Sequence, residues 1–314
     1  MCRRPWCLAA LFAGCAASMD KDPQYQFHLK LANDYYERGK FEEAMQKYED
    51  AIERNPKSYI AVVGLACTDR EWGLKKFAEA EDLHRAKKVE FAKKEFEKAV
   101  VVHTTAHKLY LKAIQMKPDH PLAYRELGVF FYKRATSPYS YPYRLDDQKN
   151  RQKERDEAIR HLRIVVEKEP TLPFTRRYLG LALFAAGHSA EGRQHLEVYL
   201  QGMAEGREHL RKNAARQSPE QREELERRLR TIDKELDEVC EVLGAYLRDL
   251  EDRRAAAQKA YDKLLAEEPA RAKESDAKKL VDGLNVEILA VQNLLRKYRE
   301  VESKKPDAEP PKQN

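Results

Sequence analysis

Apolar positions recur at three- and four-residue spacing through almost the whole chain, with charged residues between them, so the pattern predicts helices throughout. From Tyr25 it runs as a first helix through Glu37, turns at Gly39 and continues as a second helix that stops before Pro56. The same layout starts again at Tyr59, Pro121 and Pro173, at separations of 34, 62 and 52 residues. The second and third units therefore carry 28 and 18 residues more than the first, and the extra residues fall between their two helices, at about 74–102 and 134–155. The first insert keeps helical spacing at Val89, Ala92, Phe96, Ala99, His103 and Ala106. It predicts lengthened helices that form a projecting hairpin or, alternatively, a break at Gly73 followed by one very long helix. The second insert holds Ser137-Pro138-Tyr139-Ser140-Tyr141-Pro142-Tyr143, a loop punctuated by proline. Its Tyr139, Tyr141 and Tyr143 either anchor an interface or pack on a helix edge.

Beyond residue 206, Leu225, Leu229, Ile232, Leu236, Val239, Leu243, Tyr246 and Leu250 alternate by four and three, and Leu284, Ile288, Val291, Leu295 and Tyr298 do the same. Glu268-Pro269 and the polar residues 273–276 separate the two runs, which predicts an antiparallel helical hairpin over 207–303. Such a hairpin packs back on the repeats or presents its seam to a partner. Residues 304–314, rich in proline and charge, read as a disordered tail.

The residues of the first unit are specific. Leu31, Ala32, Tyr35, Gly39, Phe41, Ala44, Tyr48, Ala51 and Pro56 together resemble the tetratricopeptide repeat, a 34-residue helix-turn-helix unit. The second unit repeats the pattern with Leu65-Ala66, Ala106, Tyr110, Ala113 and Pro118, and the third with Leu127-Gly128, Phe131, Ala158, Leu162, Val165 and Pro170. The fourth has Leu179-Gly180, Leu183, Gly187, Leu196 and Tyr199, but Ala204 in place of the closing proline. The resemblance implies an all-α fold: an α-solenoid of about four tetratricopeptide units over 25–206, two of them with inserts, followed by the long helical or coiled-coil hairpin.

It also implies a concave, protein-binding groove lined by the first helix of each unit. Carried onto this chain, the lining residues are Leu29, Asn33, Tyr36, Val63, Arg70, Arg125, Tyr132, Lys133, Arg177 and Phe184. That set is basic and aromatic, suited to an acidic or aromatic segment of a partner, because arginine pairs bidentately with carboxylate. Of the lysines and asparagines with which some family members clamp a terminal carboxylate, Asn33 alone is matched.

The amino terminus has the three-part layout of an export signal: Arg3 and Arg4, an apolar run from Trp6 to Ala13, and small residues before Cys15. The run is too short to cross a hydrocarbon core about 30 Å thick. Leu11-Phe12-Ala13-Gly14-Cys15 resembles the bacterial lipobox, which implies a signal over 1–14, a lipid on Cys15 as the new amino terminus, and a tether over 15–24. The expectation is an envelope protein held by its acyl chains, with Ala16 after Cys15 favouring the outer membrane facing the periplasm. Cleavage after a residue such as Ala17 would instead release a soluble periplasmic adaptor.

Composition narrows the function classes. Charged residues make up 36% of the chain against about 25% ordinarily, with a net charge of +6, or +4 once Arg3 and Arg4 are removed. Basic and acidic residues interleave, as from Glu220 to Lys234, so no stripe predicts nucleic-acid binding. Cys67 and Cys240, alone outside the first fifteen residues, make no zinc or disulfide pattern. His103 and His107 stand one helical turn apart without a third ligand, and read as packing residues. No phosphate loop, nucleophile elbow or metalloprotease helix occurs, so the reading is a scaffold without catalysis, metal or cofactor, whose partners are other envelope proteins. The competing reading is a structural protein that oligomerises through the carboxyl-terminal hairpin.

Overall fold

The computed structural model describes residues 22–137, 148–214, 218–272 and 275–303, and among these every regular element is helical. The chain divides into two compact units, Met1–His188 and Ser189–Asn314.

The first unit holds α1 (Pro23–Glu37), α2 (Phe41–Arg54), α3 (Tyr59–Arg85), α4 (Val89–Met116), α5 (Pro121–Thr136), α6 (Gln148–Lys168) and α7 (Pro173–Ala185). Each of these helices packs on the next, and α1, α3, α5 and α7 also touch in sequence as one layer. The starts are punctuated by the residues that pre-set helical φ or satisfy first-turn N–H groups. Pro23, Pro121 and Pro173 open α1, α5 and α7, and the Ser58 hydroxyl caps α3 by accepting from the Ala61 N–H at 3.1 Å. Prolines also close the second helices. The residue before proline is steered to extended backbone, and accordingly α2 and α4 have their C-caps at Asn55 and Lys117, directly before Pro56 and Pro118.

The layers close because small and large residues alternate at equivalent positions. Ala44, Tyr48 and Ala51 of α2, Ala106, Tyr110 and Ala113 of α4, and Ala158, Leu162 and Val165 of α6 are all fully buried. Opposite them stand Ala32, Ala66 and Gly128, and a Cβ at Gly128 would meet Leu162 Cγ at 2.6 Å, so nothing larger lets α5 and α6 approach this closely. The Tyr25 hydroxyl bonds Ser58 Oγ at 2.7 Å and ties the first repeat to the cap of the second.

The first insert is a lengthened hairpin. Helix α3 passes through Gly73 without a break, and its Cα lies so near α4 that a Cβ there would overlap the His103 ring. Three turns share one backbone pattern: Gly39 N–H to Tyr36 O with Lys40 N–H to Tyr35 O, Lys87 N–H to His84 O with Lys88 N–H to Leu83 O, and Gly187 N–H to Phe184 O with His188 N–H to Leu183 O. These are Schellman turns, in which one residue is left-handed. That residue is Gly39 (φ 71°) in the first and Gly187 (φ 87°) in the last, but Lys87 (φ 60°) between α3 and α4.

The second unit holds α8 (Ser189–Ala214), α9 (Pro219–Glu267), the single turn α10 (Pro269–Ala272) and α11 (Asp276–Ser303). Helix α9 packs along α11, and both touch α8. Buried in this unit are Ile232, Leu236, Val239, Leu243 and Leu250 of α9 and Leu284, Ile288, Val291 and Leu294 of α11. Leu294, in place of the Leu295 expected from the heptad, takes the fully buried position. Polar ties at the flank include the Tyr246 hydroxyl donating to Glu287 Oε1 at 2.5 Å, a carboxylate that also accepts from Ser189, and Arg207 paired with Asp233 at 2.6 Å. Helix α8, expected to close the fourth repeat, falls in the same compact unit as the hairpin helices.

Candidate functional site on the inner helices

The layer formed by α1, α3, α5 and α7 presents the positions from which the resemblance builds a binding groove. At its centre lies a buried charge cluster. Arg70 Nη1 donates to Glu126 Oε2 at 2.9 Å and to the Tyr110 hydroxyl at 3.2 Å, while Nε donates to Glu71 Oε1 at 2.9 Å. Arg125 Nε donates to the other oxygen of Glu126 at 2.9 Å, and Lys133 pairs with Glu71. Cys67 closes the cluster, its Sγ lying 3.5 Å from Glu126 Oε2 and accepting from the Tyr110 hydroxyl at 3.5 Å. Burial alone would raise the Glu126 carboxyl, but Arg125 and Arg70 outweigh it and hold it below its ordinary value. Both oxygens of Glu126 are thereby occupied by guanidinium groups.

This corrects the expectation that Arg70 and Arg125 face a groove with cations ready for a partner's carboxylate. Arg70 is fully buried and Arg125 is 6% exposed. Taking an unpaired cation out of water is costly, so each is matched with the glutamate that follows it in sequence. Leu29, Tyr36 and Val63 are likewise core residues. Leu29 packs with Tyr48 and Leu65, Val63 with Tyr110 and Leu127, and the Tyr36 ring meets Phe41 edge-on at 5.9 Å. Arg177 and Phe184 are buried as well, at 1% and 6% exposure, with the Arg177 guanidinium 5.1 Å from the Tyr178 ring.

Three of the ten remain half-buried: Asn33, Tyr132 and Lys133. The Asn33 carbonyl accepts from the Tyr48 hydroxyl at 2.5 Å, which leaves its amide N–H groups as what it can offer. Tyr132 stands edge-on to Tyr178 at 5.6 Å, and half-buried Phe174 packs on the same ring at 4.9 Å, with the Arg125 guanidinium 5.2 Å from the Phe174 ring. The arrangement is an aromatic shelf from α5 and α7, able to hold an extended segment by ring contacts. Glu71, Glu126, Tyr110, Phe174 and Tyr178 are the residues that sequence reasoning missed. The available signal was the pair of Arg-Glu steps, Arg70-Glu71 and Arg125-Glu126, on two inner helices.

Cys15, Tyr139, Tyr141 and Tyr143 lie outside the described residues. His103 and His107 are packing residues: His103 Nε2 lies 3.1 Å from the Arg70 carbonyl, and His107 stacks on Phe130 at 6.0 Å. Among the described residues no group of three His, Cys, Asp or Glu is placed to hold a metal ion, and no helix is long and apolar enough to cross a membrane.

Residues 25–58 match the family described as tetratricopeptide repeat. No curated protein matches the chain. Among solved structures, a thermophilic tetratricopeptide-repeat protein of Thermus thermophilus is 15% identical with a TM-score of 0.44, over 86% of this chain and 99% of that one. The MamA RS-1 ArsTM double mutant is 12% identical with a TM-score of 0.38, over 73% and 98%. A human IFIT1 dimer with PPP-AAAA is 15% identical with a TM-score of 0.27, over 89% and 73%. The fold is an all-α tetratricopeptide-repeat solenoid, the architecture of protein-interaction scaffolds.

Proposed function

We propose that this chain is a lipid-anchored scaffold of the bacterial envelope, held to the outer membrane through Cys15 and facing the periplasm, that captures an aromatic segment of another envelope protein. The observation that carries the capture half is the aromatic shelf. Tyr132 and Phe174 stand half-buried on neighbouring inner helices, both packed on the Tyr178 ring. A lipid at Cys15 is supported by the residues around it alone, and two acyl chains hold a protein stably where one does not.

The test is intact-mass and membrane-fraction analysis of the full-length protein beside Cys15→Ala, followed by capture from solubilised envelopes with Tyr132→Ala/Phe174→Ala alongside. An acylated Cys15 as first residue, release on substitution and loss of the captured partner in the double variant are the expected results. A wild-type chain without acyl mass removes the anchor, and an unchanged set of captured proteins removes the shelf.

A second reading, oligomerisation through the second unit, is favoured by one observation. Val286 and Leu289 of α11 are 70% and 58% exposed on the helix face opposite Leu284, Ile288 and Val291. Sedimentation of the full chain beside Val286→Glu/Leu289→Glu distinguishes it from a monomeric scaffold.

A further inference from the structure

The long hairpin of the first unit ends in an apex unlike the shaft beneath it. Past the Gly73–His103 contact, α3 and α4 pack on each other through Ala80, Ala92 and Phe96, with Phe77 and Leu83 against them. The added residues, shared between two helices, lengthen the hairpin by about 20 Å at about 1.5 Å per residue. At its end the residues from Arg85 to Phe91 are all exposed, including Val89 at 44% and Phe91 at 64%.

Charge is sorted along the hairpin. From Asp82 to Lys94 stand Arg85, Lys87, Lys88, Lys93 and Lys94 against Asp82 and Glu90, a net charge of +3. Asp82 is engaged by Arg85 at 3.1 Å. In the shaft, over 74–81 and 95–102, Lys75, Lys76 and Lys98 stand with Glu79, Glu81, Glu95 and Glu97, a net charge of −1, with Lys76 bridging Glu79 and Glu95 and Lys98 paired to Glu95. Along the sequence these residues read as interleaved charge. The turn gathers the unmatched lysines at one end.

The apex also keeps a conformational cost that its counterparts avoid. Lys87 occupies the left-handed position held by glycine in the other two Schellman turns, and a non-glycine residue in that region is retained where something over-determines it.

We propose that this apex is a docking surface for an anionic phospholipid membrane. Phe91 and Val89 enter the boundary between headgroups and acyl chains, while Lys87, Lys88, Lys93 and Lys94 meet the lipid phosphates. A nucleic acid fits the apex less well, because a convex tip follows few phosphates along a backbone. The contact is independent of a lipid on Cys15. In an anchored chain it would fix the orientation of the first unit over the membrane.

The test uses the full chain carrying Cys15→Ser, so that no acyl group contributes, in cosedimentation with vesicles of phosphatidylglycerol and phosphatidylcholine beside vesicles of phosphatidylcholine alone. Binding to the anionic vesicles only is expected, with Lys87→Ala/Lys88→Ala weakening it roughly thirtyfold at low salt and much less at high salt, where exposed charges are screened. Phe91→Ser should weaken it at both salt concentrations. All three substituted positions are exposed, and helical circular dichroism should match the parent. Equal binding to neutral vesicles, no binding, or binding that none of these substitutions changes overturns the proposal. Short duplex DNA bound as tightly as the vesicles, without dependence on Phe91, overturns it in favour of a general polyanion site.

Discussion

Arg70 and Glu126, 56 positions apart on α3 and α5, form a direct ion pair at 2.9 Å in which neither side chain is more than 1% exposed. Removing one member of such a pair leaves a buried charge without its partner, which costs about 3–5 kcal/mol. Arg70→Met should therefore lower the stability of the first unit by about 3 kcal/mol or more, and Glu126→Gln should do so as well, since it strands both Arg70 and Arg125. Urea unfolding followed by circular dichroism checks this, and a double-mutant cycle isolates the coupling. A loss below about 1 kcal/mol, the range of exposed pairs, would mean that water reaches the cluster.

Asp69, the neighbour of Arg70, behaves oppositely with pH. Burial, with the Glu49 charge as the smaller cause, pushes its carboxyl up to about 7 from 3.8. A raised folded value means that the folded state holds a proton the unfolded chain has released. This stability is fully present below the unfolded value and is lost as pH rises through about 7. Asp69→Asn should raise the melting temperature at pH above that value and change it little in acid. Melting curves of the two proteins across pH check the sign, and parallel profiles would show that Asp69 ionises without penalty.

How much was legible in the sequence follows from the range of each interaction. Helix starts at Tyr59, Pro121 and Pro173, and stops before Pro56 and Pro118, rest on local backbone chemistry and stand where proline and serine place them. The buried alanine and tyrosine positions of α2 and α4 were legible for the same reason, as they repeat within one hairpin. The groove was less so. Position in the repeat puts Arg70, Arg125 and Arg177 on the inner layer, but whether a cation there faces a partner or a glutamate depends on a residue brought near by folding, such as Glu126 beside Arg70. The turn at Ala86–Lys88 carried no local signal at all, because Lys87 stands where a glycine would have announced it.

That lysine supports a prediction with two opposite signs. In the left-handed region a side chain with a Cβ costs roughly 1–2 kcal/mol, a strain glycine does not meet. Lys87→Gly should stabilise the α3–α4 turn by about 1 kcal/mol, raising the protection of the last α3 amides in hydrogen exchange. The same change removes one apical charge, worth about 1 kcal/mol at an anionic surface, so vesicle affinity should fall about fivefold. Lys87→Ala separates the two effects: it keeps the strain and loses the charge, so it should weaken vesicle binding equally while leaving exchange protection unchanged. Protection gained by both variants would mean that the lysine side chain itself, and not its backbone angle, destabilises the turn. Protection gained by glycine alone, with vesicle affinity intact in both, would leave the strain at Lys87 without a membrane role.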